Sequence, residues 1–194
     1  MSEFISFGLK GEYADVVDDN DAPTGEVLDM GIIHAQGLRH RDVHLWLTNG
    51  QDVLQQQRGF DTPIMPGAWD LTAGHVDAGE SYLDAIVRET GEEIGLHLPR
   101  DRFASIGKLA TKMHFPGWEH PHNMVGDNFV VVERDLQIAD LQLEEDDVLG
   151  VRWYPIDRLE SDLTNPETAK LHAPHPPELY KLGIAGLRRA IAER

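Results

Sequence analysis

The chain has 194 residues, the length of one ordinary domain, with 34 Asp and Glu against 17 Lys and Arg, a formal charge of −17 and no cysteine. Such a charge repels nucleic-acid polymers and anionic lipid surfaces. The missing cysteine excludes disulfides, thiolate nucleophiles and Cys-ligated zinc or iron–sulfur centres, so catalysis has to use oxygen and nitrogen groups.

The start, MSEFISFGLKGEYADVVDDN, has neither a basic region nor a sustained apolar run, and no later stretch reaches the roughly 18 apolar residues of a membrane helix. A cytoplasmic chain with no membrane association is the expectation. Within 1–40 short strands flank the acidic stretch 15–25, DVVDDNDAPTG, whose Pro23 and Gly25 suit an exposed turn. Val43, Leu45 and Leu47 alternate with His44 and Trp46, Asn49-Gly50 offers a positive-φ pair, and Val53–Gln57 returns, which predicts a β-hairpin. Pro63 and Pro66 break regular structure before a short strand over Trp69–Thr72 running into Gly74, with a loop expected after that glycine.

From Ser81 the period changes to 3.6. Leu83, Ile86, Val87, Thr90 and Ile94 form one stripe and Glu89, Glu92 and Glu93 another, with Ser81 and Asp84 as a capping pair and Gly95 as the stop. Gly91 inside this helix is read as room for a neighbouring strand. Residues 103–109, 129–133 and 148–154 read as further strands, with 113–127 as a long loop rich in aromatic and His residues. Asn165-Pro166 opens a short helix, and helical spacing from Pro177 completes a helical tail over 165–194. With no internal repeat, the reading is one α+β domain over 1–194.

The chemistry concentrates in GHVDAGESYLDAIVRETGEEIGL, residues 74–96. Positions 89, 92 and 93 stand as i, i+3 and i+4, so three carboxylates leave one patch of a helix. Bare, they repel one another; Mg²⁺ or Mn²⁺ turns that repulsion into binding and bridges to phosphate oxygens. Arg88 can neutralise part of the cluster, Glu80 can reach back toward Arg88, and the glycine loop would let backbone carbonyls approach an ion.

This spacing resembles the Nudix box, G-x5-E-x7-R-E-U-x-E-E-x-G-U with U a bulky aliphatic residue. Gly74, Glu80, Arg88, Glu89, Glu92, Glu93 and Gly95 fill all seven fixed positions, a coincidence on the order of a few in a million for this composition, while Thr90 departs at the first aliphatic one. EYADVVDDNDAPTGEV, HAQGLRHRDVHLWLTN, QQQRG, PGAWDLTAGHV and LEEDDVLGVRWYPI are similar to the Nudix subgroup related to isopentenyl-diphosphate isomerase, across most of 12–160. The resemblance implies an α/β/α sandwich with a mixed sheet, and Mg²⁺-dependent attack of water on the diphosphate of a nucleoside-diphosphate-like small molecule. It implies Glu92 and Glu93 as metal ligands, Glu89 as ligand or base, Arg88 in the catalytic group and the Ala73 main-chain carbonyl as a further ligand. Arg58 is implied as a diphosphate contact, Glu144 and Glu145 as extra carboxylates near substrate, and a homodimer as one assembly.

Two other function classes stand beside the hydrolase: a prenyl-diphosphate isomerase and a non-catalytic nucleotide sensor. The isomerases carry a catalytic Cys where this chain has Ala73, and a lysine pair where it has Thr62 and Pro63. Plainer readings also stand beside the functional ones. An arginine such as Arg58 also caps sheet edges, and the acidic run 144–147 reads as a solvated surface. His114, His120 and His122 lack metal-ligand spacing and are read as surface loop, outside the metal site; Phe115 and Trp118 are read as packing on the core rather than stacking on a base.

Overall fold

The computed structural model describes residues 11–62, 65–144 and 147–193, so Glu145 and Pro63 lie outside the described residues. In chain order the strands are β1 (Tyr13–Val17), β2 (Pro23–Asp29), β3 (His40–Thr48), β4 (Asp52–Arg58), β5 (Trp69–Asp70), β6 (Thr72–His75), β7 (Ala104–Met113), β8 (His122–Val132) and β9 (Val148–Pro155). The helices are α1 (Met30–Gln36), α2 (Tyr82–Ile94), α3 (Ile156–Asp162), α4 (Pro166–Ala169) and α5 (Pro177–Ala192). β1 and β2 pair as a separate ribbon, and the other seven strands form one mixed sheet.

β3 is the spine of that sheet. It runs parallel to β8 from His40↔Met124 to Thr48↔Val132 on one edge and antiparallel to β6 on the other. Its side chains alternate between two cores, as the pleat requires. Val43, Leu45 and Leu47 pack with Ala85, Ile86 and Ile94 of α2, and Trp46 packs with Leu179, Tyr180, Ile184 and Leu187 of α5. Helices therefore cover both faces of a mixed sheet, the α+β sandwich expected. Among the described residues no helix is long and apolar enough to cross a membrane.

The structure corrects the sequence reading at several places. The turn expected over 15–25 spans only 18–22, with Pro23 and Gly25 already in β2, paired to β1. The 43–57 hairpin exists, but β3 and β4 share only the Thr48↔Val53 pair and then diverge, because β5 and β6 enter the gap, one pairing β4 and the other β3. Gly74 lies within β6, opposite Val43, so the loop starts only after His75. The expected loop 113–127 shrinks to 114–121: β8 starts at His122, since pairing with β3 and β7 overrides the polar Asn123, Asp127 and Asn128 that masked its alternation. α1 and α3, seven residues each, are too short for periodicity to reveal; α1 is set by its ends, with the Asp29 side chain accepting from Gly31 N–H and Gly37 in the left-handed region.

Candidate active site

α2 starts where the Ser81 side chain accepts from Asp84 N–H and ends at Gly95 with φ of 66°. Its apolar stripe is buried, which turns Arg88, Glu89, Glu92 and Glu93 toward the edge where β3 and β4 separate. Arg88 is saturated by acceptors. It grips Glu80 through Nε at 3.2 Å and a terminal nitrogen at 3.1 Å, and reaches Glu89 at 2.7 Å, Glu92 at 3.0 Å and the His75 carbonyl at 2.9 Å. The guanidinium thus splints three box glutamates to the end of β6.

Glu89 and Glu93 reach the sheet itself. The Glu89 carboxylate lies over Gly74, where a β-carbon would stand 2.1 Å from its carboxyl carbon. The box glycine makes room for a side chain. Glu93 enters the gap between the diverging strands, accepting from Ala73 N–H at 3.2 Å and from Gln56 Nε2 at 3.0 Å, while Gln56 Oε1 accepts from Thr72. Because a strand residue turns its N–H and C=O to the same edge, the Ala73 carbonyl faces the same side as that amide. Burial pushes Glu89 up to about 7 despite Arg88, and burial with the charge of Glu89 pushes Glu93 well above the carboxylate range. Gly91 meets no strand; the ring of His97 lies where its β-carbon would be.

These groups line a cavity of about 700 Å³ whose walls also include Arg58, Glu144, Asp42, His44, Asp70 and His175. Arg58 lies 3.5 Å from buried Asp70, which also binds His175 at 2.7 Å. Asp42 and His44 project from β3 against Gly126, where a β-carbon would stand 2.2 Å from an Asp42 oxygen. Burial raises Asp42 to about 7 and lowers His44 to about 3.

Sequence reasoning missed a second donor set. His34, His40, His75 and His122 each present one ring nitrogen, all within 4.8 Å of one another. The Nε2 atoms of His34 and His122 are 3.1 Å apart, near the roughly 3.3 Å between nitrogens of a tetrahedral zinc site with bonds of about 2.0 Å. His40 Nδ1 lies 3.2 Å from the Leu38 carbonyl and His75 Nδ1 3.3 Å from Glu12, outer contacts that orient a metal-binding imidazole. Buried His40 Nε2 has no hydrogen-bond partner. His122 is thus a buried strand residue and not surface loop, whereas His114 and His120 are exposed loop residues as expected. Phe115 and Trp118 stack against this cluster, Trp118 5.5 Å from His34 and Phe115 6.1 Å from His122. The four histidines come from α1, β3, β6 and β8, so no local spacing could have announced them.

A NUDIX domain model matches residues 38–175. The chain belongs to the Nudix family. Its relatives include Nudix hydrolase 3 of Arabidopsis thaliana, 29% identical over 162 residues that make 81% of this chain and 21% of that protein. An uncharacterized Nudix hydrolase of Streptomyces coelicolor is 40% identical over 95 residues, 47% of this chain and 52% of its own. The chain therefore spans about a fifth of the first and about half of the second. Isopentenyl-diphosphate Delta-isomerase of Escherichia coli is 24% identical over 149 residues, 75% of this chain and 78% of that one. Among solved structures, a Deinococcus radiodurans protein superposes with a TM-score of 0.58 at 20% identity, over 92% of this chain and 98% of that one. The Nudix domain of Shewanella oneidensis NrtR, complexed with ADP ribose, does so with 0.55 at 20%, over 78% and 88%. At such identities the structures speak for the Nudix fold alone.

Proposed function

We propose that the chain is a divalent-metal-dependent hydrolase that cleaves the diphosphate linkage of a nucleoside-diphosphate-like small molecule, with Mg²⁺ as the ion and Mn²⁺ as its substitute. The observation that carries this reading is that Glu89, Glu92 and Glu93 line one cavity, with Glu89 lying over Gly74 and Glu93 held by the Ala73 amide beside it. An all-oxygen donor set suits a hard cation, and two carboxylates pushed above their ordinary range by burial have a cost that a cation would remove. When bound, the ion supplies positive charge to the diphosphate oxygens and acidifies water.

Glu92 and Glu93 serve as ligands, and Glu89 as ligand or as the base that takes the proton of the attacking water. Gln56 and the Ala73 amide hold Glu93 in place, and the Ala73 carbonyl is a further ligand. Arg88 acts through its neighbours: with Glu80, Glu89, Glu92 and the His75 carbonyl on its nitrogens, it is a positioning residue. Arg58 binds the diphosphate from the cavity wall, and Glu144, whose N–H donates to the Glu93 carbonyl, adds a carboxylate beside the box helix. The four imidazoles, with no carboxylate among them, suit Zn²⁺ or another late transition ion rather than Mg²⁺, and no reaction step is assigned to them.

The test is a panel of nucleoside-diphosphate compounds with Mg²⁺ or Mn²⁺, read by product release. At least one compound turning over, and falling silent in EDTA, supports the hydrolase. Turnover that persists in EDTA after elemental analysis confirms metal removal overturns it.

A further inference from the structure

Three ionisable residues meet in the wall of the cavity, His175 lying 105 residues beyond Asp70. Asp70 of β5, only 4% exposed at its side chain, accepts from Leu71 N–H at 2.8 Å, binds His175 Nε2 through the same oxygen at 2.7 Å, and lies 3.5 Å from the Arg58 guanidinium through the other. His175 precedes α5, and its side chain is 6% exposed. All three residues line the cavity that holds the box carboxylates.

Attachment of the segment before α5 does not explain His175. Trp69 N–H donates to the Leu171 carbonyl, Ala173 N–H returns to the Trp69 carbonyl, the Tyr180 hydroxyl donates to the Ala173 carbonyl, and His172 meets Gln55 at 3.1 Å. Those contacts secure the segment without the His175 ring. What the ring adds is a second basic group on Asp70, in a cavity otherwise crowded with carboxylates and with Arg88 already engaged by three of them. Its other nitrogen, Nδ1, is buried and has no hydrogen-bond partner, and a buried polar atom in that state calls for an explanation.

We propose that His175 is the second cation of a diphosphate-binding wall, paired with Arg58 through the shared counter-ion Asp70. The identity of the ligand rests on the hydrolase reading; the charge arrangement does not. Asp70 on β5, His44 on β3 and Tyr180 on α5 lie against His175, and the charges of Asp42 on β3, Arg58 on β4 and His122 on β8 act on it across the cavity. Against burial, which pulls the imidazole down, the charge and hydrogen bond of Asp70 and the charge of Asp42 hold His175 above its ordinary value. The cationic form binds the anion, so affinity falls as pH rises through that value.

The probe is inorganic pyrophosphate, titrated calorimetrically into wild type, His175→Gln and Asp70→Asn, with fold checked by circular dichroism. Glutamine keeps a donor toward Asp70 and removes the charge. At pH 6 the variant is expected to bind about tenfold more weakly than wild type, the loss of one positive charge from the cavity wall. That ratio should shrink toward one as pH rises, while ionisation of pyrophosphate itself cancels in it. For a hydrolysed substrate KM rises and kcat stays within about threefold. In Asp70→Asn the imidazole loses its nearest anion, so pyrophosphate affinity falls off at lower pH than in wild type, a reading that survives if His175→Gln does not fold. Binding by His175→Gln within twofold of wild type at every pH, or an Asp70→Asn profile unshifted from wild type, overturns the proposal. If wild type hydrolyses no diphosphate and the ratio still holds, the hydrolase reading falls and the cationic wall stands; hydrolysis with no ratio does the reverse.

Discussion

Gly74 and Glu89, fifteen residues apart, share one volume: a β-carbon on the glycine would fall 2.1 Å from the carboxyl carbon of the glutamate. The obstacle is the far end of a flexible side chain, so the fold can yield while the carboxylate cannot keep its place. Gly74→Ala is therefore expected to fold normally by circular dichroism, with a small change in Tm, and to lose about a hundredfold in kcat/KM, equivalent to about 2.7 kcal/mol of transition-state stabilisation. Full turnover in a folded Gly74→Ala protein would show that the carboxylate position does not matter.

The two terminal box glutamates differ in setting. Glu92 is 55% exposed and touches Arg88, whereas Glu93 is held by Gln56 and the Ala73 amide. Glu92→Gln and Glu93→Gln should each cost about a hundredfold or more in turnover at saturating Mg²⁺. In chemical denaturation at neutral pH without metal, only Glu93→Gln should gain stability, since it alone removes a charge that burial disfavours. Wild-type turnover in both variants would dismiss them as ligands.

Glu89 gives a pH test with a definite sign. Its folded value lies above the ordinary 4.5, at about 7, mainly through burial. Its contribution to stability is fully present below pH 4.5 and is lost as pH rises through 7. Relative to wild type, Glu89→Gln should therefore gain about 3 kcal/mol of metal-free stability between pH 4 and pH 8. The buried histidines, which burial pulls down, titrate the other way, and they cancel in this comparison. A stability difference that does not change with pH would mean that Glu89 is not buried as described.

The imidazole cluster can be read without any assay of turnover. One equivalent of Zn²⁺ should raise Tm, and Co²⁺ should give the visible absorption of a tetrahedral site; both signals should vanish in His122→Asn and persist in Glu92→Gln. A Co²⁺ spectrum unchanged in His122→Asn would place the ion elsewhere.

Ala73 gives the negative control. It lies opposite His44 with its amide bound to Glu93, and a methyl group exchanges no proton. No deuterium should enter isopentenyl diphosphate from heavy water beyond a no-enzyme control, and exchange at an enzymatic rate would restore the isomerase alternative.

What could be read before folding was whatever the chain writes locally. The amphipathic stripe of α2, its Ser81 and Gly95 ends, the alternation of β3 and the three carboxylates at i, i+3 and i+4 all depend on neighbours within a few residues. So does the box spacing. By itself, therefore, the sequence determined the family, the layered class of the fold and the acidic end of the cavity.

Only the tertiary structure decided what fills the remaining walls. The splitting of β3 from β4 admits Glu93 to the Ala73 amide, and the parallel pairing of β3 with β8 buries His122, which its loop-like surroundings had concealed. Asp70 gathers Arg58 from 12 residues before it and His175 from 105 residues after it. The physical reason is common to all three. A helix or turn is stabilised by contacts within a few residues and so leaves a periodic trace, whereas a buried charge or imidazole is tolerated only because of partners that strand pairing brings from elsewhere, and those partners leave no spacing to read.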